Sequence, residues 1–283
     1  MLVELAVGDA YGAGFEYAPE EFVRQNNDLT QYFRHQSHDI KPGHYTDDAQ
    51  MSIAIAELII EDGVWSAENI AHKFVEVFHR DIRPGYARGF FKFLQSVKSG
   101  KEFMANIRPD SDKSGAAMRA GPIGLFPTID EVLSRARIQA KVTHNTKNGI
   151  TAAQAAALMV HYFFYRQGSR QDVGKFIDQH VPGSWDEDYF ESVGSKGWMS
   201  VRAAITAIKE CQSMSSLLKE CIAFTGDVDT VATIALAAAC WSDEIEQDLP
   251  DILIYNLENG KYGKWYLESL DDKLFMMFNR LKV

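Results

Sequence analysis

The sequence predicts an all-α protein, built as one compact multi-helix domain over residues 1–283. Three observations support this fold class: apolar residues recur at helical spacing in one segment after another, the period-two alternation of strands is almost absent, and glycine and proline lie between the segments. With 283 residues, 46% of them hydrophobic, the chain can bury a substantial core. Because no linker, repeat or change of composition marks a boundary, we expect a single domain.

The predicted helices follow one another along most of the chain. Residues 49–62 carry apolar side chains at helical spacing and stop at Gly63. Ser66 then stands where an N-cap is expected, in front of a helix over 67–80. Further helices are predicted over 86–99, 130–142, the alanine-rich and central 148–167, 170–180, 197–211, 214–223, 230–242, 245–258 and within 264–281.

Charge and composition limit the classes of function. The formal net charge is −10 and lysine and arginine form no cluster, which argues against a groove for duplex nucleic acid. No apolar run of about 18 residues predicts a membrane helix, and the N-terminus lacks the pattern of a signal peptide. Cys211, Cys221 and Cys240 are far apart, so we expect buried free thiols, a reducing compartment and a cytoplasmic protein.

Four segments do not fit the plain helical pattern, and we interpret them as loops. They are GDAYGAGFE (8–16), PGHYTDD (42–48), SDKSGAAMRAGPIG (111–124) and TGDVDT (225–230). Each places acidic or hydroxyl residues, usually beside glycine, directly before an apolar segment. Because the same residue types recur in all four segments, the segments need a common chemical explanation.

Two of these loops carry the oxygen ligands that hard divalent cations prefer. If the loops meet in space, two metal ions about 3.5–4 Å apart could share their carboxylates. The same residue types also cap helices and complement the helix dipole, and one carboxylate can do both. The candidate ligands are Thr46, Asp47, Asp48, Asp227, Asp229 and Thr230.

A third loop has a different chemical character. Ser114, Gly115 and the small residues after them can expose backbone N–H groups, which is typical of a cradle for phosphate oxygens. Arg119 could add a positive charge there, or it could serve as an ion-pair residue. His144 precedes the central helix, either as a structural residue or as a hydrogen-bond donor to phosphate or sugar. The other histidines near the first acidic loop, interpreted as loop or surface residues, are His35, His38 and His44.

In their order and spacing, these motifs resemble the ADP-ribosylglycohydrolase family. AVGDAYGAGFE is similar to the family's N-terminal segment, PGHYTDDAQMS to its first metal loop, and SGAAMRAGPIGL to its phosphate-contacting loop. THN is similar to its histidine segment and TGDVDTVATIALA to its second metal loop. The blocks run from residue 6 to about residue 239, which is most of the chain.

The resemblance implies an all-α fold with a cleft for two Mg²⁺ ions, or Mn²⁺, held by the six candidate ligands. It implies hydrolysis of the N- or O-glycosidic bond between ADP-ribose and an acceptor, for which we expect a protein. Glu16 matches an acidic residue on a mobile flap near the scissile bond, and Asp47, Asp48 and Glu16 are the candidate acid–base residues. The residues that match the surroundings of the diphosphate and ribose are Glu16, Ser114, Gly115, Ala116, Met118 and His144.

The second metal loop departs from the family pattern, which more usually reads GGDTDT. Thr225 stands in place of a glycine and Val228 in place of a threonine, while both aspartates and Thr230 are kept. We therefore expect the chain to bind metal, and we expect a monomer. Two other functions fit the same residues: an inactive protein that binds ADP-ribose or a related nucleotide, and a two-metal hydrolase of a nucleotide diphosphate.

Overall fold

The apolar segments fold into fifteen α-helices over residues 1–279, the part of the chain that the computed structural model describes. Two short 3₁₀ helices, Gly121–Leu125 and Arg170–Asp172, connect them. Over the same residues no β-sheet forms, and strand-like pairing is limited to four isolated bridges. The α-helices are α1 (Leu2–Ala13), α2 (Glu20–Asn26), α3 (Asp47–Ile60), α4 (Ala67–Arg80), α5 (Arg88–Ser96), α6 (Gly100–Asn106), α7 (Gly115–Met118), α8 (Ile129–Lys141), α9 (Lys147–Phe164), α10 (Val173–His180), α11 (Gly197–Glu210), α12 (Met214–Ala223), α13 (Val228–Ala239), α14 (Asp251–Asn256) and α15 (Lys264–Asn279).

The all-α prediction is confirmed, and most of the predicted helices appear within a few residues of their expected ends. Ser66 caps α4 as predicted, because its side chain accepts a hydrogen bond from the N–H of Asn69. The short helices α2 and α6 were not predicted, since seven residues carry too little periodicity to stand out. Residues 280 and 281 of the last predicted helix lie outside the described residues.

The prediction of one helix over 245–258 is wrong, because only α14 is helical there. The N–H of Glu246 donates to the carbonyl of Gln212 (2.9 Å), and its own carbonyl accepts from the N–H of Met214 (2.8 Å). These bonds hold the segment extended beside the start of α12. Pro250 then precedes α14, as is common at a helix start.

The prediction of a loop over residues 8–16 is wrong for residues 8–13, which belong to α1, and holds for residues 14–16, which form a turn. Gly8 and Gly12 lie one turn apart on the face that packs against α13. A Cβ at Gly12 would overlap the Cα of Asp229, and a Cβ at Gly8 would lie 2.9 Å from the carbonyl carbon of Ala232. The glycines therefore permit close helix packing rather than a turn.

The core is centred on α9 and α13. Every residue of α13 is buried, between α1, α9, α11 and α12. The alanine-rich α9 packs against α7, α8, α11 and α13, which confirms its predicted central place. Because small side chains let the helix axes approach closely, α13 begins deep inside the molecule.

The remaining predictions from composition have mixed outcomes. Cys211 and Cys221 are buried free thiols as predicted, whereas Cys240 is only half-buried. Within residues 1–279, no helix combines the length and the apolar character that crossing a membrane requires.

Candidate active site

The N-termini of α3 and α13 meet, and they bring the two acidic loops together. Asp48, at the start of α3, is close enough to Asp227 for that charge to raise its pKa, and it shares a hydrogen bond with Thr230. Both helix dipoles place their positive ends at this point, which favours carboxylates. The structure thus brings the two acidic loops to the same place, with the candidate ligands Asp48, Asp227 and Thr230 close together.

Asp48 is the least satisfied of these carboxylates. Its side chain is only 4% exposed, and its Oδ2 atom is buried without a hydrogen-bond partner. Burial raises the pKa of Asp48 well above its usual range, and the charges of Asp47, Asp9 and Asp227 raise it further. A buried oxygen of this kind is costly unless a cation accompanies it.

Thr46 caps α3 as expected, and it also connects to a residue that sequence reasoning missed. Its Oγ1 accepts from the N–H of Asp48 (3.4 Å) and donates to Oδ1 of Asp9 (2.8 Å). Asp9 accepts as well from the N–H groups of Thr46 (2.9 Å) and Ala49 (2.8 Å). Burial raises the pKa of Asp9 to about 6, against these hydrogen bonds. Asp9 therefore braces the first turn of α3.

On the α13 side, a second group of carboxylates includes Glu16. Carboxylate oxygens of Glu16, Asp227 and Asp229 lie within 4.8 Å of one another, an arrangement that could hold a metal ion. Burial raises the pKa of Asp227 to about 6 and that of Asp229 well above its usual range, and in both cases the charge of Glu16 adds to the shift. Val228 is fully buried between the two aspartates.

The backbone of this loop is unusual at the two residues before Asp227. Thr225 and Gly226 both have positive φ, 62° and 89°. A Cβ at Gly226 would overlap the carbonyl oxygen of Val193, so only glycine fits there. Thr225 takes the left-handed conformation at the position where the family pattern has glycine, and its Oγ1 donates to Oγ of Ser192 (2.9 Å). Threonine in place of glycine at position 225 therefore raises the conformational cost of this backbone, but the turn itself is kept.

His35 lies in a loop, as expected, but it is not a surface residue. His35 is buried, and its Nε2 lies 2.8 Å from Oε2 of Glu16. His38, by contrast, is exposed as expected, and His44 is half-buried. The difference was not visible in the sequence because nothing local marks His35 as the partner of a residue nineteen positions earlier.

A further loop that sequence reasoning missed lies over Asp47. A Cβ at Gly85 would overlap Oδ1 of Asp47 and would lie 2.8 Å from Cβ of Thr46. Arg83 anchors this loop by an ion pair with Glu258 and by a hydrogen bond to the carbonyl of Tyr45 (3.1 Å). The Pro-Gly pair at 84–85 reads in the sequence as an ordinary turn between helices, so its position over the site gave no signal.

The predicted phosphate cradle adjoins the carboxylates. Hydrogen bonding with Ser114 works against the raised pKa of Asp227, which puts that hydroxyl beside the acidic cluster. Gly115 faces His144, since a Cβ there would lie 3.1 Å from Cε1 of the ring. Ala116 and Met118 are buried in the one-turn helix α7 behind the cradle. Ser114, Gly115 and His144 therefore lie close to one another and beside the acidic cluster.

Arg119 is buried and hydrogen-bonds neutral groups, so the expectation of an ion pair is wrong, while its charge acts on His144 beside the cradle. It is 1% exposed and donates to Oε1 of Gln139 (2.7 Å) and Oγ1 of Thr143 (2.8 Å). Burial lowers its pKa to about 9. Thr143 in turn lies 2.6 Å from Nδ1 of His144.

This chain of contacts reaches the ring of His144. Because arginine can only donate, Thr143 accepts from Arg119, which leaves its hydroxyl one proton and one lone pair for Nδ1 of His144. When the proton is directed to Nδ1, Nε2 is the N–H donor of the ring. Burial lowers the pKa of His144 to about 3, and the charge of Arg119 adds to that shift. A neutral donor next to the cradle is suited to a phosphate or sugar oxygen.

The residues present fit a divalent metal centre. The donor atoms are all oxygen, one of them is a buried and unpartnered carboxylate oxygen, and the carboxylates crowd one another. Among the ion pairs of residues 1–279, none involves Asp47, Asp48, Asp227 or Asp229. Their negative charge therefore lacks a direct protein counter-charge.

Comparison with known proteins identifies the same family that the sequence motifs resemble. The profile of the ADP-ribosylglycohydrolase family matches residues 1–281. The chain is 27% identical over 194 residues to ADP-ribosylhydrolase ARH3 of Homo sapiens, covering 62% of this chain and 52% of that protein. It is 25% identical over 251 residues to the ADP-ribosyl-[dinitrogen reductase] glycohydrolase of Rhodospirillum rubrum, covering 82% and 80%. A solved structure titled ADP-ribosylglycohydrolase-related protein complex shares the fold, with a TM-score of 0.75 at 19% identity over 98% of this chain and 95% of that one.

The extent of these matches differs among relatives. The chain spans about half the length or less of two relatives at 31% identity, 53% for a protein of Archaeoglobus fulgidus and 36% for ARH3 of Xenopus tropicalis. These two matches cover 56% and 42% of this chain, whereas the family profile matches residues 1–281.

Proposed function

This chain belongs to the ADP-ribosylglycohydrolase family, and from that premise we propose that it is a metal-dependent hydrolase that releases ADP-ribose from a modified acceptor. The observation that carries the proposal is the convergence of the α3 and α13 N-termini, with an unpartnered oxygen of Asp48 at their meeting point. A site that only capped two helices would not need a buried carboxylate oxygen without a partner.

In this proposal the side chains at the two helix starts hold two Mg²⁺ ions, or Mn²⁺. Bound divalent cations would neutralise the carboxylates and orient the oxygen atoms of the ribose. Asp9 keeps Thr46 and Asp48 in place through the hydrogen bonds to the first turn of α3. The residues proposed as ligands are Thr46, Asp47, Asp48, Asp227, Asp229 and Thr230.

The chemical step needs a water molecule to form a bond to the anomeric carbon while the bond to the acceptor breaks. We assign the proton transfer to Glu16, because one of its oxygens is held by His35 and the other is left for the reacting water. Asp47 and Asp48 are the other two carboxylates able to take this role. The acceptor atom leaves with a proton, so charge balances in the products.

The diphosphate of ADP-ribose is proposed to lie on the cradle that begins at Ser114 and Gly115. His144 supports this placement as a neutral Nε2–H donor facing Gly115. Ala116 and Met118 form the buried wall behind it. An anionic ligand at this point would also be favoured by the backbone N–H groups of the loop.

The acceptor is proposed to be a protein side chain. Tyr17 follows Glu16, has a φ of 48° and is 59% exposed, so the rim beside Glu16 is open to a large partner. Relatives are named for protein substrates, such as the dinitrogen reductase of the Rhodospirillum rubrum enzyme. We further propose that the protein acts as a monomer.

The direct test is incubation of the purified protein with ADP-ribosylated proteins, with and without Mg²⁺, followed by identification of the released nucleotide. Free ADP-ribose whose release stops on addition of a chelator supports the proposal. AMP as the product would instead indicate a nucleotide diphosphate hydrolase. Tight binding of ADP-ribose without any product, in Mg²⁺ or in Mn²⁺, would indicate an inactive binding protein.

A further inference from the structure

His35 has a defined tautomer, which follows from the contacts of its two ring nitrogens. It lies in the segment 27–46, which connects α2 to α3 without a helix. Nδ1 accepts from the backbone N–H groups of Ser37 (3.0 Å) and His38 (3.1 Å). A nitrogen that accepts two N–H donors carries no proton, so the neutral ring carries its proton on Nε2.

The second ring nitrogen is directed at the acidic site. Nε2 lies 2.8 Å from Oε2 of Glu16, and the ring is therefore the donor in this bond. The His35 side chain is 2% exposed and that of Glu16 is 20% exposed, so the bond is largely shielded from water. Within residues 1–279, only Oε2 of Glu16 makes a hydrogen bond, which leaves Oε1 free to face the acidic site.

Glu16 needs such a partner because nothing in its own segment holds it in place. It follows the end of α1 and has three rotatable side-chain bonds. Its carboxylate lies beside those of Asp227 and Asp229, which repel it. A fixed neutral donor on the opposite side counteracts this repulsion without adding a positive charge to the site.

The segment that carries His35 is itself packed against the Glu16 turn. A Cβ at Gly14 would lie 2.9 Å from Cβ of Phe33, so the two stretches are in direct backbone contact. The rings of Phe15 and Phe33 lie 5.4 Å apart, and Phe22 contacts both. The donor and the acceptor therefore belong to one packed unit.

We propose that His35 is a positioning residue, which fixes the rotamer of Glu16 so that its free oxygen faces the reacting water. This inference rests on the proposed hydrolase function for the role of Glu16, and on the geometry alone for the hydrogen bond. In active sites generally, a supporting residue can orient a catalytic group by hydrogen-bonding the atom of that group that does not react. His35 itself does not touch the substrate.

The kinetic test compares His35→Phe with His35→Gln, whose amide N–H can replace the Nε2 donor. We expect His35→Phe to lower kcat by about 10- to 100-fold with little change in KM, since Glu16 acts in the transition state. His35→Gln should recover at least about tenfold of that loss. His161→Gln is the control, because His161 is also buried but, within residues 1–279, hydrogen-bonds only the backbone carbonyls of Gly124 and Phe126. A loss in His35→Phe no larger than that in His161→Gln would overturn the proposal.

A double-mutant cycle separates positioning from a general structural role. If His35 acts through Glu16, His35→Phe should change the residual rate of Glu16→Ala by less than about twofold. An equal loss in the wild-type and Glu16→Ala backgrounds would overturn the proposal. Thermal unfolding of each variant shows whether it is folded under the assay conditions. If His35→Phe is not folded, His35→Leu, which also lacks an N–H donor, takes its place in the cycle.

A spectroscopic readout keeps this inference distinct from the proposed function. Nitrogen-15 NMR of the histidine rings should show His35 as the Nε2–H tautomer, with a slowly exchanging ring proton that is lost in Glu16→Ala and kept in His161→Gln. An Nδ1–H tautomer, or a ring proton unaffected by Glu16→Ala, would overturn the His35–Glu16 contact. Absence of ADP-ribose release by the wild-type protein would overturn the proposed function, while this spectrum still decides the contact.

Discussion

The two acidic loops reach the same site by different structural means. The loop before α3 is held by side chains: Thr46 caps the helix and Asp9 accepts hydrogen bonds from its first turn. The loop before α13 has no side-chain cap, and the backbone holds it instead. There Gly226 pairs with Val193, and Gly12 lies against Asp229.

This difference indicates how each half of the site can tolerate change. We call the loop and helix start at α3 the α3 half of the site, and those at α13 the α13 half. Hydrogen bonds from a side chain can be lost one at a time, so each substitution in the α3 half should lower the stability by a moderate amount. Backbone atoms in contact cannot move apart without moving a helix, so the α13 half should be sensitive to a single added carbon. The predictions below test this contrast.

The largest expected effect is on catalysis, and it should be the same in both halves. Asp48→Asn and Asp229→Asn should each reduce hydrolysis by about 100-fold or more, because loss of a ligand should exceed the loss caused by residues that only support ligands. Steady-state assays in saturating Mg²⁺ measure this, with the exposed Asp248→Asn as the control. A large loss in only one of the two variants would break the picture of a single shared centre.

The same Asp48→Asn variant should be more stable than the wild type when metal is chelated. The substitution removes a buried charge whose Oδ2 has no hydrogen-bond partner. Thermal melts in the presence of a chelator measure the change. A lower melting temperature for the variant would show that the carboxylate is satisfied without a cation.

Gly12→Ala should cause the largest loss of stability, roughly 3 kcal/mol, because the new Cβ would overlap the backbone of Asp229 at the start of α13. Chemical denaturation gives the free energy of unfolding. Gly89→Ala in α5 is the matched control, since a Cβ there meets no atom within 4 Å and should gain up to about 1 kcal/mol. Equal stability of Gly12→Ala and the wild type would show that the α1–α13 contact is adaptable.

Asp9→Ala tests the α3 half and should have a smaller effect, about 2 kcal/mol. The N–H groups of Thr46 and Ala49 would lose their acceptor while remaining buried. Asp9→Asn keeps one carbonyl oxygen and should lose less than Asp9→Ala. If both variants unfold as readily as Gly12→Ala, the two halves are held with equal strength and the contrast fails.

The smallest effect is expected at Thr225, where the conformation favours glycine. Thr225→Gly removes the left-handed strain of about 1–2 kcal/mol, but it also increases the freedom of the unfolded chain and removes the hydrogen bond to Ser192. We expect a net gain of less than about 1 kcal/mol in the free energy of unfolding. Thr225→Ala keeps the strain without the hydrogen bond and should be less stable than the wild type.

The sequence by itself determined the helical class, the position of most helices and the acidic character of the two loops before α3 and α13. These properties depend on neighbours within a few residues, since periodicity, caps and the grouping of carboxylates before a helix are local. Thr46 illustrates this, because its identity and its place before an apolar run are enough to predict its cap. The order of the motifs then supplied the family resemblance.

Only the tertiary structure decided which distant residues complete the site. Asp9 lies inside a helix, His35 lies nineteen residues from its partner, and Gly85 lies in what reads as an ordinary turn. Gly8 and Gly12 look like loop residues until α13 is packed against them. Each of these roles depends on a contact between segments far apart in the chain, and such contacts follow from the packing of whole helices rather than from local pattern.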